Sequence, residues 1–198
     1  FYTLRDLLLK GYRASAIRFL LISVPYRHQM NFTFESLAES TNAIDRLRTF
    51  HQRMLKGGFA EGLNEEIVAA TAKAEQGYTA SLANDLNTAE ARAAIFELVR
   101  AANAAADAGT LRAANVAEIL RVLDLFDGVF AVLEDRDAAL TRAALAWAEA
   151  EGRLGEAAPE LVANLSLGDA EIDALVAERT QAKKTRNFAR ADAIRNDL

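Results

Sequence analysis

The chain contains no cysteine and only 2 prolines in 198 residues. Without cysteine there are no disulfides, no thiolate metal sites and no thiol nucleophile, which fits a reducing compartment without proving one. With so little proline, long helices can run uninterrupted. Only 2 histidines are present. His51 falls near an apolar helix face and His28 in a loop. Neither has a second histidine beside it, so a hydrogen-bonded structural role is expected for His51 and at most a minor contact for His28. No apolar run approaches the roughly 20 residues needed to span a bilayer. The longest, Ala16 to Val24, is too short, and no secretory signal precedes it. A Gly-rich phosphate loop, a His-x-x-x-His pair and a Ser/His/Asp set are all missing. Carboxylates are plentiful, yet nothing marks a pair of them for general acid and base work.

What the chain does have is alanine, 42 residues of it. Alanine is the best helix former, and there are few β-branched runs and no alternating stretches. The expected fold class is therefore all-α. Ala-rich faces allow close approach but bury little area each, so the large residues must carry the core.

Charge is unevenly distributed. The net charge is −5, which argues against nucleic acid when taken as a whole. Residues 1–30 hold five basic and one acidic residue, a balance of +4. Residues 31–177 hold twelve basic and twenty-four acidic, a balance of −12. Residues 178–198 hold six basic and three acidic, a balance of +3. Two cationic ends on an acidic middle could form a phosphate-binding surface. The competing account is solvated helix faces.

Caps and breakers divide the chain. Thr3 with Asp6 is a variant capping box for a helix to Lys10, with Gly11 after it. Ala14 to Val24 reads as a buried helix ended by Pro25. Tyr26 to Phe32 is a loop mixing aromatic, cationic and amide groups. Thr33 caps a long helix to about Lys56, with Leu37, Ile44, Leu47, Phe50 and Met54 on one face. Gly57 to Asn64 is the best domain boundary. Glu65 and Glu66 open a helix to about Ala83, and Asn87 or Thr88 caps the next, through Ala108. Asn115 is expected to cap a sixth helix, bent or ended at Asp127-Gly128. Asp135 to Glu151 follows, with Trp147 as a large apolar anchor, and Asp169 caps the penultimate helix. The last stretch, Ile172 to Leu198, reads as two helices restarted at Asn187. Phe188, Ala191, Ile194 and Leu198 form the final apolar stripe, and Arg179, Lys183, Lys184, Arg186, Arg190 and Arg195 stand beside it.

That last stretch resembles a run near the end of the helical region of cysteinyl-tRNA synthetases, roughly E-R-x-x-A-(R/K)-x-x-(K/R)-(D/N)-(F/Y)-x-x-A-D-x-I-R-x-x-L. Glu178, Arg179, Ala182, Lys183, Arg186, Asn187, Phe188, Ala191, Asp192, Ile194, Arg195 and Leu198 fit it. A second block, Y-R-x-x-(L/M)-N-(F/Y), is matched by Tyr26, Arg27, Met30, Asn31 and Phe32. A third, D-D-L-N-T-P before an Ala-rich helix, is matched by Asp85, Leu86, Asn87 and Thr88, then Ile95, Phe96, Leu98 and Val99, with Asn84 and Ala89 as departures. Phe1 to Asp6 resembles the residues after the family's ATP signature loop.

The resemblance implies a stem-contact helical region at 1–58. An antiparallel bundle of the anticodon-binding, DALR-like type follows at 64–198. It implies a C-terminal fragment that docks tRNA, cytoplasmic and monomeric, with no membrane contact. ATP, magnesium and zinc would belong to a catalytic domain outside these residues, leaving no catalytic or metal-binding residue and no cofactor here. The candidate tRNA-binding residues are Arg5, Arg13, Arg27, Arg179, Lys183, Lys184, Arg186 and Arg190. Two alternatives stand beside this: the paralogous ligase that joins cysteine to an amino sugar in mycothiol synthesis, and a helical scaffold without enzymatic role.

Overall fold

A computed structural model describes residues 2–165, 169–185, 187, 189–190 and 194. Among the described residues there are nine α-helices and no β-strand. They are α1 (Leu4–Leu9), α2 (Ala14–Leu21), α3 (Phe34–Lys56), α4 (Glu65–Ala83) and α5 (Thr88–Asp107). Then come α6 (Ala113–Phe130), α7 (Asp137–Ala150), α8 (Pro159–Leu165) and α9 (Asp169–Lys184), with a 3-10 turn at Leu154–Glu156. The all-α expectation holds. The chain forms two compact units, Ala14–Arg136 and Phe1–Arg13 with Asp137–Leu198. The expected division between 58 and 64 does not coincide with a break in packing, because α3 before it packs on α5 and α6 after it.

Local signals set the helix starts. The Thr3 hydroxyl accepts from Asp6 N at 3.2 Å while the Asp6 carboxylate accepts from Thr3 N at 2.8 Å, so the capping box forms. Thr33 accepts from Ser36 N at 3.0 Å, Asn64 from Glu66 N at 3.0 Å and Asn87 from Glu90 N at 3.2 Å. Each satisfies an amide that the first helical turn leaves without a partner. α3 stops at Gly57, whose φ of 63° suits a residue without Cβ.

In the Ala14–Arg136 unit, α4 and α5 form a hairpin. Lys73 meets Glu97 at 3.1 Å, and a Cβ at Gly77 would lie only 3.2 Å from that of Ala94, an antiparallel register with close backbones. The core is a chain of rings. Phe126 stacks on Phe130 with centroids 4.2 Å apart, Tyr78 meets Phe126 edge-on at 6.2 Å, and Phe19 meets Phe130 at 6.0 Å. These rings join α4, α6 and α2 and are at most 2% exposed. Leu37, Ile44, Leu47, Phe50 and Met54 of α3 are buried as their spacing predicts.

Three expectations need correction. α2 ends at Leu21, three residues before Val24. Asn115 is not the N-cap residue of α6, which begins at Ala113; it stands two positions further in and accepts from Arg112 N at 3.3 Å. Its side chain is 3% exposed, accepts from Asn64 N at 3.0 Å and donates to Asn64 O at 3.0 Å, so it ties α6 to the start of α4. Nor does Asp127-Gly128 end α6. The helix runs to Phe130, turns at Ala131 (φ 52°), and the Asp127 carboxylate accepts from Val132 N at 2.7 Å and Leu133 N at 2.8 Å. Trp147 belongs to the other unit. It is half-buried, with the Arg5 guanidinium 4.0 Å from its ring centre and that of Arg153 at 5.2 Å.

Elsewhere in that second unit, Leu7, Leu8 and Leu9 of α1 are buried, as are Ala144, Leu145 and Ala148 of α7. Ala158 N donates to Leu9 O at 2.8 Å, and the Leu161 side chain lies 3.8 Å from a Cβ placed at Gly11. Asn187 restarts helical structure as predicted, its side chain accepting from Arg190 N at 3.2 Å. Ala182 and Ile194 are buried, whereas Val176 is 49% exposed. Phe188, Ala191 and Leu198 of the expected stripe lie outside the described residues.

Candidate nucleic-acid interface

The eight candidate cations fall into different environments. Arg5 is engaged with Trp147, a contact of cation–π type. Arg13 is exposed and has a partner of its own. Arg190 pairs with Glu178 at 2.8 Å, and the Arg190 guanidinium holds that carboxylate below its ordinary pKa. Arg179 is half-buried, its Nε enclosed without a hydrogen-bond partner among the described residues. Lys183 and Lys184 are exposed in the last turn of α9 and make no ion pair among the described residues. Arg179 and Lys183 stand four residues apart and so share a helix face. Arg186 lies outside the described residues. All of these belong to the unit of Phe1–Arg13 and Asp137–Leu198, while Arg27 belongs to the other.

Arg27 sits where two of the sequence blocks meet. Its Nε lies 3.0 Å from an Asp85 carboxylate oxygen, and Tyr26 OH donates to Asp85 at 2.8 Å. The Y-R block thus clasps the D-L-N-T block, 58 residues further on. Asp85 and Leu86 both have φ of 54°, a left-handed conformation that side chains other than glycine rarely adopt. Tyr26 and Leu86 are 63% and 59% exposed. This is an aromatic, cationic and apolar surface held in a fixed shape.

Several basic residues that a charge count treats as available are used inside the fold. Arg18 donates to Phe130 O at 2.6 Å and Val129 O at 3.0 Å, and so satisfies the C-terminal carbonyls of α6. Arg48 donates to Val132 O at 2.8 Å and Glu134 O at 3.2 Å. Conversely, Arg46, Arg92 and Arg100 of the acidic middle make no hydrogen bond or ion pair among the described residues. The signal that could have found two of them is their spacing: Arg92, Phe96 and Arg100 lie at i, i+4 and i+8 on α5.

Residues 77–134, from the second half of α4 through α6, match the DALR domain family. That match and the helical architecture define the class: an all-α region that carries a DALR domain. The whole chain is 46% identical over 201 residues to a cysteine–tRNA ligase of Koribacter versatilis (strain Ellin345), covering 41% of that protein. It is 44% identical over 198 residues to that of Solibacter usitatus (strain Ellin6076), covering 37%. It is 33% identical over 204 residues to that of Leptospira interrogans serovar Lai (strain 56601), again covering 37%. The chain spans about two fifths of the length of these curated relatives. Along its whole length it is similar to a part of these cysteine–tRNA ligases.

Proposed function

We propose that this chain is the tRNA-docking part of a cysteine–tRNA ligase, the intact enzyme attaching cysteine to its tRNA with ATP in the cytoplasm. The single observation that carries the reading is similarity along the entire chain to ligases of that name, with the DALR match across α4 to α6. Joining cysteine to tRNA requires ATP, magnesium and a selective site for the thiol. We propose that ATP, magnesium and zinc are held by other parts of such a ligase, and we derive no catalytic step for these residues.

Of the candidate cations, Lys183 and Lys184 are the best placed to meet phosphates, being exposed and without an ion pair among the described residues. Arg5, Arg27 and Arg190 would have to leave or share their present partners. The competing account is that two lysines in the last turn of α9 serve only its C-terminal dipole, worth about 0.3–1 kcal/mol. A salt titration of tRNA binding separates the two. Phosphate contacts release counterions, so Lys183→Ala/Lys184→Ala/Arg186→Ala should lower the slope of log affinity against log salt by roughly 0.7 to 0.9 per contacting charge. Equal affinity and slope in the variant would make the end of α9 a structural cap. The mycothiol-type ligase alternative has no tRNA to bind, and absence of tRNA binding by the unsubstituted chain would favour it.

A further inference from the structure

In the Ala14–Arg136 unit, α3 and α5 leave an open groove with two connected parts, of about 460 and 1210 Å3. Arg46 and Phe96 line both parts, Arg92 the first and Arg100 the second. The Arg46 guanidinium lies 5.7 Å from the Phe96 ring centre, and that of Arg92 lies 5.3 Å from Phe19. Arg92 is half-buried, and burial lowers its pKa from the ordinary value. Removing a guanidinium from water without an ionic partner is unfavourable, and an anionic ligand would relieve that penalty.

The local charge is opposite to that of the surrounding sequence. Three acidic residues line the groove. Asp107 is bound to Arg53 at 2.7 Å, and Asp45 has a partner of its own. That leaves Glu39 against three guanidinium groups without ion pairs among the described residues. The α5 arginines are separated by eight residues, about 12 Å along the helix axis, with the half-exposed Phe96 ring between them. Cations spaced along a groove around an aromatic face suit a phosphodiester strand, whose phosphates pair with guanidinium and whose bases stack on rings.

We propose that the α3–α5 groove holds an RNA strand, with Arg46, Arg92 and Arg100 on its phosphates and Phe96 beneath a base. This rests on the tRNA-docking reading and extends it to residues of the acidic middle. The test compares tRNA binding, across a salt series, by the chain and by Arg46→Gln/Arg92→Gln/Arg100→Gln. A control, Arg121→Gln/Arg136→Gln/Arg142→Gln, loses the same charge outside the groove. The groove variant should bind on the order of tenfold or more weakly at low salt, with a slope lower by about two units, and the control should keep both. Because Arg92 is half-buried, the exposed pair Arg46→Gln/Arg100→Gln and Phe96→Leu are measured alongside, with helicity checked by circular dichroism. Equal loss in the groove and control variants overturns the groove as a contact while leaving tRNA docking intact. No tRNA binding by the unsubstituted chain overturns both. Retention of polyglutamate with no effect of the groove substitutions on RNA would make the groove a protein-docking site and overturn the proposal.

Discussion

The two compact units are built from different material. Of the twelve largest fully buried side chains among the described residues, eleven belong to Ala14–Arg136 and one, Leu9, to the other unit. The first is held by rings and branched aliphatics from five helices. The described residues of the second bury leucines of α1 and α7 with short side chains such as Ala148 and Ala182, and its half-buried tryptophan lies under two guanidinium groups. Burial scales with apolar area, so per residue the first unit has the larger reserve of stability.

The largest expected effect tests the ring chain. Phe126 touches both Tyr78 and Phe130 and is fully buried. Phe126→Ala should destabilise by about 3–5 kcal/mol, read as a shifted denaturant midpoint. A loss under about 1 kcal/mol would mean that the rings are loosely packed and the contrast between the units is false.

Tyr78 gives a smaller effect tied to pH. Its hydroxyl donates to Leu125 O at 3.3 Å, and burial pushes its pKa up to about 12. The folded state then holds the proton more tightly than the unfolded chain, whose tyrosine titrates near 10. The contribution is complete below pH 10 and is lost as pH rises through 12, on the order of 2–3 kcal/mol. Tyr78→Phe should flatten that part of the stability profile. An unchanged profile would show the hydroxyl to be in water.

The smallest effect belongs to the other unit. Trp147→Leu keeps an apolar body and removes the π face under Arg5 and Arg153. An exposed cation–π contact is worth about 0.5–1 kcal/mol. A loss of several kcal/mol on thermal melting would make Trp147 a core anchor after all and erase the contrast between the two units.

These contrasts explain which parts of the structure were readable in the sequence. Thr3, Thr33, Asn64 and Asn87 cap amides two or three residues away, so the signal and its partner lie in one window. Asn115 has the same chemistry and takes the Arg112 amide three residues before it, but it also holds Asn64, 51 residues back, and nothing local reveals that second bond. Asp127-Gly128 resembles a stop because its residue types favour turns. The carboxylate instead reaches forward to Val132 and Leu133 and closes the helix from inside. For the candidate interface, charge summed over blocks identified the basic ends but not their use. It counted Arg18 as available although that residue caps α6. It also hid Arg46, Arg92 and Arg100 inside a block of −12, because a block sum averages over all faces of a helix.

One unit is discontinuous in sequence, and this orders events during synthesis. The 123 residues of Ala14–Arg136 separate α1 from the α7 residues it packs against. A ribosome adds about 5–20 residues per second, so α1 waits on the order of 6 to 25 s before Asp137 is even made. By the end of that interval the ring-rich unit has its whole sequence and can close, whereas Leu7, Leu8 and Leu9 still have no α7 to cover them. α1, although made before the ring-rich unit, is therefore buried after it. A nascent chain stalled before residue 137 is expected to show a protease-resistant Ala14–Arg136 core, with cleavage concentrated in residues 1–13.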